Sequence, residues 1–493
     1  MLGFLLNDKP LSFSVEQADL TVLEYLREHK KLSGTKEGCA SGDCGACTVV
    51  VAEINQTANA GDADTTLVYR AINSCITFMS ALQGKQLITV EHLAQNNTLH
   101  PVQQSMVQHH GSQCGFCTPG FIMSMFALYH QNIAVERDTV THALSGNLCR
   151  CTGYRPIIDA ALDACAQPCN DQFSQQQQHT ITQLQQLNIN NNTDGQLLTP
   201  TNREALRAAI ATHPDASLFA GSTDLALQVT QQHKHFPRLI SLSRVKELTQ
   251  LVVQDHGLLI GAALPLSDIE PTLLDYFPSL SELLHRFASL PVRNQATLGG
   301  NVANASPIGD LPPVLLALKA IIHLDNGETR RTVAAADFFI AYRQTALQAD
   351  EWIEAIYLPF LAANSHLQAY KISKRMEDDI SAVCAVFNLQ LNDNQVVALS
   401  CGFGGMAATP ASIELTDLLK DKPWSDSATL DIGKRYLSQA FEPLDDVRAS
   451  KAYRLQMAVN MWQRFWLQSN SQQHAIATRL VELDSPKAEH DHA

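Results

Sequence analysis

Apolar residues change their period along this chain, and each change marks a candidate domain. Residues 3–7 and 11–15 are short strand-like runs around Asp8-Lys9-Pro10, which predicts a hairpin. Val22, Leu23, Tyr25 and Leu26 share one helical face after Asp19, the expected N-cap. Residues 48–52 form a continuous apolar strand, and 55–66 is polar, as in a surface loop. The period then turns helical. Phe121, Ile122, Met125, Phe126, Leu128 and Tyr129 make a broad apolar face behind Pro119-Gly120, a helix start, and 139–144 predicts a second helix. Residues 170–196 are rich in Gln and Asn and predict a linker with little capacity to form a core. Strand-like and helix-like runs alternate from 197 on. Leu218-Phe219-Ala220 and 258–262 run into loops, 383–391 and 396–402 read as strands, and an amphipathic helix passes through Leu455, Val459, Trp462 and Trp466. The boundaries drawn from this pattern are 1–90, 91–168, a linker at 169–196, 197–362 and 363–485.

Length supports the division, since 493 residues exceed what one hydrophobic core organises. Lys and Arg number 35 against 49 Asp and Glu, a net charge of −14, which argues against nucleic-acid binding. The apolar stretch at the N-terminus ends at Asn7-Asp8-Lys9, so no secretory leader is expected, and no run is long enough to span a bilayer. The expected compartment is the cytoplasm. There, twelve cysteines read as reduced thiols or metal ligands.

Eight of those cysteines fall into two sets of four. Cys39, Cys44 and Cys47 are spaced C-x4-C-x2-C with Cys75 downstream, the plant-type ferredoxin spacing for a [2Fe–2S] cluster. A structural zinc site is the alternative, but zinc knuckles usually present two C-x2-C pairs. Gly38, Gly42 and Gly45 would let this loop curl and aim N–H groups at the sulfurs. The second set is Cys114 and Cys117 with Cys149 and Cys151. It reads as a second [2Fe–2S] centre, with a thioredoxin-like or zinc role as the alternative. Cys165, Cys169, Cys384 and Cys401 receive no role.

The third region lacks G-x-G-x-x-G and so lacks support for a Rossmann site. It has two glycine loops, Gly221-Ser222-Thr223-Asp224 and Gly299-Gly300-Asn301, of a kind that brings backbone N–H groups to a pyrophosphate. Each alone reads as an ordinary turn. Together, downstream of two clusters, they suit a flavin, which couples one-electron carriers to hydride.

With these residues placed, the chain resembles the molybdenum hydroxylase family, and within it the small iron–sulfur and flavin subunits of bacterial xanthine dehydrogenases. Cys-Gly-Phe-Cys-Thr-Pro-Gly at 114–120, Gly-Asn-Leu-Cys-Arg-Cys-Thr-Gly-Tyr-Arg-Pro-Ile at 146–157, and the segments 218–225 and 293–310 carry the resemblance. It implies a multidomain α+β protein. The four modules would be a β-grasp [2Fe–2S] ferredoxin-like domain, a four-helix [2Fe–2S] domain, a vanillyl-oxidase-type FAD domain and an α+β flavoprotein C-terminal domain. By the same resemblance Leu218, Phe219, Ala220, Gly221, Ser222, Thr223, Asp224 and Leu225 would wrap the FAD pyrophosphate. Thr297, Gly300, Asn301 and Asp310 would hold it from the second loop. Phe287 would lie by the flavin, and Ile353 and Lys371 would add contacts. The charged run Lys374-Arg375-Met376-Glu377-Asp378-Asp379 would stand at the flavin edge where NAD approaches, although by itself it reads as a solvated loop. The gap from Cys47 to Cys75 is several residues longer than the family pattern.

The sequence ends before any molybdopterin domain, so the hydroxylation site is expected on a large molybdopterin-binding partner, in a heterotetramer or larger dimer of heterodimers. The expected activity is the electron-transfer half of an NAD-dependent xanthine dehydrogenase. The alternatives are the same role for an aldehyde or N-heterocycle, or a non-catalytic iron–sulfur redox sensor.

Overall fold

The computed structural model describes residues 2–14, 17–55, 65–187, 195–376 and 378–470. Most of the polar 55–66 loop and the asparagine run at 190–192 lie outside them.

The first unit is a five-stranded mixed sheet, ordered Lys9–Phe13, Leu2–Leu6, Gln86–Ile88, Thr48–Ile54, Leu67–Asn73. The predicted hairpin forms but turns at Asn7-Asp8, with Asn7 at φ 59°, and Pro10 sits in the edge strand, where proline is tolerated. Thr48–Ile54 shows why its apolar run does not alternate. Val49 and Val51 pack with Leu23 and Leu26 on one face of the sheet, while Val50 and Ala52 pack with Phe121, Met125 and Phe126 on the other. Both faces are covered, so both sets of side chains must be apolar. The Val22–Glu24 helix is capped by Thr21, whose hydroxyl accepts from Glu24 N at 3.2 Å, rather than by Asp19. Asp19 is buried and accepts instead from Phe236 N of the third unit at 2.8 Å.

The second unit is built from Pro101–Gln108, Thr118–Tyr129, Arg137–Ala143 and Arg155–Cys165. The expected linker at 169–196 is corrected over its first half. Gln172–Gln175 and Gln177–Gln186 are helices, and Phe173, Ile181 and Leu184 are buried in the core of the second unit. Asp171 begins this stretch. Its Oδ2 takes His100 Nε2 at 2.6 Å and His130 Nε2 at 2.9 Å, and its Oδ1 accepts from Ser174 N. Burial raises the Asp171 carboxyl, but the two histidines outweigh it and hold it well below the usual carboxylate range.

The third unit combines a parallel sheet ordered Leu197–Leu198, Leu239–Ser241, Ser217–Phe219 with a five-stranded antiparallel one. The latter runs Arg330–Ala334, Ile321–Asp325, Trp352–Pro359, Gly257–Gly261, Leu251–Gln254. The last unit is an antiparallel sheet of Ser365–Ile372, Val383–Asn392, Gln395–Gly404 and Ala411–Glu414. One face carries Ser427–Leu437 and Lys451–Ser469, the predicted amphipathic helix, whose Trp462 is fully buried. The other face meets Leu311–Ala317 of the third unit so closely that a Cβ on Gly402 would lie 2.0 Å from the Pro313 carbonyl oxygen.

Candidate electron-transfer centres and flavin cleft

The eight cysteines come together as two sets, each divided into two pairs. In the first set Cys39 lies by Cys44, and Cys47 Sγ is 3.2 Å from Cys75 Sγ. The loop curls as its glycines require, with Gly42 at φ 83° and Gly45 at φ 68°. Backbone N–H groups then face sulfur. Cys39 N donates to Cys44 Sγ and Ser41 N to Cys39 Sγ, both at 3.4 Å. Sharing a proton with Cys44 holds the Cys39 thiol down at about 4, and its partner is correspondingly pushed up.

In the second set Cys117, just ahead of the Thr118–Tyr129 helix, lies by Cys149, and Cys114 lies by Cys151. Thr152 supplies both its N–H (3.4 Å) and its hydroxyl (3.1 Å) to Cys149 Sγ. This pairing tests the metal. Four thiolates around one zinc ion at ~2.3 Å would sit ~3.8 Å from one another. Among the described residues, no three of these sulfurs gather within 4.8 Å. Two pairs, each able to serve one iron of a [2Fe–2S] cluster, fit the donor set better.

The two loops touch. Leu148 N donates to the Cys44 carbonyl at 3.0 Å, joining a ligand residue of one set to the neighbour of Cys149 in the other. Asn147 seals the junction: Nδ2 donates to the Gly45 carbonyl (3.1 Å) and to Thr48 Oγ1 (3.2 Å), and Oδ1 accepts from Ser124 Oγ (2.6 Å). The approach needs glycine, since a Cβ on Gly120 would lie 2.1 Å from the Gly45 carbonyl oxygen.

The expected Gly299-Gly300-Asn301 loop is corrected: these residues lie within the Leu298–Asn304 helix. The loop leading into that helix meets the first glycine loop, because a Cβ on Gly221 would strike the Gln295 carbonyl oxygen at 1.8 Å. They border the first cysteine set: Ser222, at φ 61°, donates its hydroxyl to the carbonyl of Ile76, next to Cys75, at 2.9 Å. Within 218–225 the side chains divide. Phe219 packs edge-on against Phe78 of the first unit, Leu218 joins a small core of the third, and Gly221 and Ser222 lead into a turn at Thr223-Asp224 ahead of the Leu225–Thr230 helix. Thr297 caps Leu298–Asn304 by accepting from Gly300 N at 2.9 Å, so these two predicted residues engage each other. Asn301 Oδ1 is buried and lacks a partner. Asp310 and Lys371 form a buried pair at 2.7 Å, and Ser381 Oγ donates to Asp310 at 2.5 Å. Ile353 is buried in the core of the third unit, with Phe287 packed partly exposed against the same core.

Two arginines given no role from sequence organise this cleft. Arg286 donates to the carbonyls of Lys371 (3.0 Å) and Met376 (2.7 Å), which ties down the charged 374–379 run. Arg293 is buried and donates to the carbonyls of Phe287 (2.9 Å) and Ala288 (2.8 Å). Its other nitrogen meets His142 Nε2 of the second unit at 3.0 Å. Burial, then Arg293 and His285, push His142 down to about 4, so it stays neutral and accepts. The position of Arg293 inside the 293–310 motif was the available clue, but its target carbonyls lie in the preceding turn. Burial, with the Asp43 carboxylate behind it, pushes Asp378 up to about 7.

Family models match along most of the chain: a 2Fe-2S iron-sulfur cluster binding domain at 4–80, a [2Fe-2S] binding domain at 89–162, an FAD binding domain in molybdopterin dehydrogenase at 191–361, and a CO dehydrogenase flavoprotein C-terminal domain at 368–469. Xanthine dehydrogenase of Emericella nidulans is 32% identical over 98% of this chain and 39% of its own length. The Mus musculus xanthine dehydrogenase/oxidase is 33% identical over 87% of this chain and 36% of its own. The chain thus spans well under half of these relatives. In fold it is similar to a chain of carbon monoxide dehydrogenase from Hydrogenophaga pseudoflava (TM-score 0.52, 24% identity, 55% of this chain and 95% of that one). A chain of quinoline 2-oxidoreductase from Pseudomonas putida 86 gives TM-score 0.51 at 24% identity, over 56% of this chain and 96% of that one.

Proposed function

This chain belongs to the molybdenum hydroxylase family, and we propose that it is the electron-transfer subunit of a xanthine dehydrogenase. In this reading a molybdopterin-bearing partner oxidises hypoxanthine or xanthine, and electrons pass through this chain to NAD⁺. The observation that carries it is the contact order: second cysteine set, first cysteine set, first glycine loop, joined by Leu148 N to the Cys44 carbonyl and by Ser222 to the Ile76 carbonyl. When bound, two [2Fe–2S] clusters relay single electrons and FAD exchanges them for hydride.

The chain's own residues hold that order. Cys39, Cys44, Cys47 and Cys75 would bind the inner cluster, and Cys114, Cys117, Cys149 and Cys151 the outer one. The 218–225 turn, Asn301 and the Asp310–Lys371 pair would hold FAD, while Arg293 fixes the Phe287 turn beside it. Cys114 and Cys151 are exposed, and so are Phe116, Leu148 and Tyr154 nearby, an apolar surface suited to the partner. No helix among the described residues is long and apolar enough to cross a membrane; we assign the protein to the cytoplasm. The xanthine substrate is taken from the named relatives.

The test is to purify the chain with whatever accompanies it. The expected result is a larger molybdopterin protein, xanthine-dependent reduction of NAD⁺, and flavin bleached by NADH. A flavin inert to NADH, or a complex active only on another substrate, would overturn the corresponding part of the proposal.

A further inference from the structure

Arg244 is a cation without an anion. It follows the strand Leu239–Ser241, its Nη1 is buried with no hydrogen-bond partner, and no described carboxylate forms an ion pair with it. Burial alone pulls its pKa down, with no opposing charge. The residue is half-buried, and a guanidinium nitrogen held away from water without a partner is a cost to the fold.

The guanidinium lines a cavity of about 400 Å³ where the first unit, the Gln177–Gln186 helix and the third unit meet. Two more buried polar groups without partners line the same cavity: Ser80 Oγ and Gln295 Nε2. Thr77 Oγ1 lies 2.8 Å from the Asn73 carbonyl oxygen and 2.9 Å from the Gln295 amide, so Gln295 is anchored at one end and its other amide end lies at the cavity. The other charges on the wall cancel, since Glu53 pairs with Lys85 at 2.6 Å, and also with Arg70 at 2.9 Å. Ala220 and Gly221 of the first glycine loop and Thr297 of the loop that meets it form part of its lining.

We propose that this cavity is an anion site for a phosphate or diphosphate group, with Arg244 as its cation and Ser80 and Gln295 as further donors. A guanidinium presents a fork of N–H groups that matches phosphate oxygens, and hydroxyl and amide donors complete the set. If the anion belongs to FAD the site rests on the electron-transfer reading and adds a residue to it; if the anion is separate the site goes beyond that reading. Two sources share this chemistry: the pyrophosphate of FAD, given the adjacent loops, and a separate phosphate-bearing small molecule.

The experiment titrates inorganic phosphate and pyrophosphate into the purified full-length protein, FAD-loaded and FAD-depleted, following heat of binding and melting temperature in chloride buffer. Pyrophosphate is expected to bind and raise the melting temperature. Arg244→Gln should weaken it about tenfold or more, and Arg244→Lys should retain part of the affinity. Binding confined to FAD-depleted protein, with lower FAD content in R244Q, identifies the anion as the flavin's own. Binding to FAD-loaded protein with unchanged FAD content identifies an independent site. If neither anion binds wild-type protein in either form, or R244Q and R244K bind as wild type does, the cavity holds only water and the proposal is wrong. Cluster and flavin absorbance of wild-type protein reports on the electron-transfer reading separately.

Discussion

The two cysteine sets have one donor chemistry and two half-buried thiols each, and they differ in the remaining pair. Cys47 and Cys75 are 2% exposed, behind the Asn147 seal, whereas Cys114 and Cys151 stand at the surface. The difference lies in what surrounds the thiols. The inner set hangs from a sheet covered on both faces, and the outer set sits on two loops at helix ends with solvent beyond. The set with two buried thiols is best placed to exchange electrons with centres its own chain places nearby. An exposed one can meet a second protein. The contrast therefore gives direction to a chain whose motifs alone specify only two similar carriers.

Breaking one member of each set tests the contrast most strongly. Cys75→Ser should remove about half of the iron and lower the melting temperature, because a buried ligand position is left without its metal. Cys149→Ser should remove a similar amount of iron while sparing flavin content and most of the thermal stability. Iron analysis and melting curves decide; equal thermal losses would end the distinction. Asn147→Ala comes next. It takes the acceptor from the buried Ser124 hydroxyl, a cost of about 1–3 kcal/mol, while the Gly45 carbonyl keeps Thr48 N (3.0 Å) and Thr48 Oγ1 (2.7 Å). The inner cluster should then lose its protection from chelators, seen as faster bleaching on adding bipyridyl, with the outer cluster little changed.

Asp378 gives the smallest effect. Its folded pKa of about 7 is above the ordinary carboxylate value, so the folded state binds its proton more tightly than the unfolded chain does. Stability should fall as pH rises from about 4 to about 7 through this group. Asp378→Asn should gain stability above pH 7 and nothing below pH 4, as read in melting curves across that range. Asp378→Ala should alter NADH-driven flavin reduction if the 374–379 run guards the flavin edge. An unchanged rate would leave that run as a solvated loop.

Much of this was legible in the chain because cysteine spacing and strand periodicity are local. The Thr48–Ile54 strand, the Lys451–Ser469 helix and both cysteine sets follow from residues close in sequence. What escaped was long-range. The glutamines of 172–186 hid Phe173, Ile181 and Leu184, whose burial depends on a helix pair some distance upstream. His100 and His130 find Asp171 only after folding, and nothing local marks the three as partners. Asn147 stood in a recognised motif, but its acceptor, the Gly45 carbonyl, is 102 residues away. Asp19 looked like a helix cap and serves another unit instead.

The close fit of Gly120 over the Gly45 carbonyl implies a sequence of events during maturation. No side chain can be admitted there. Cys47, two residues from Gly45, and Cys75 are 2% exposed, whereas Cys114 and Cys151 are open to solvent, so filling of the inner set in the folded chain is expected to be the slower. A chain folded first and supplied with iron and sulfide afterwards should recover the outer cluster before the inner one, and equal rates would show that burial of Cys47 and Cys75 does not limit filling.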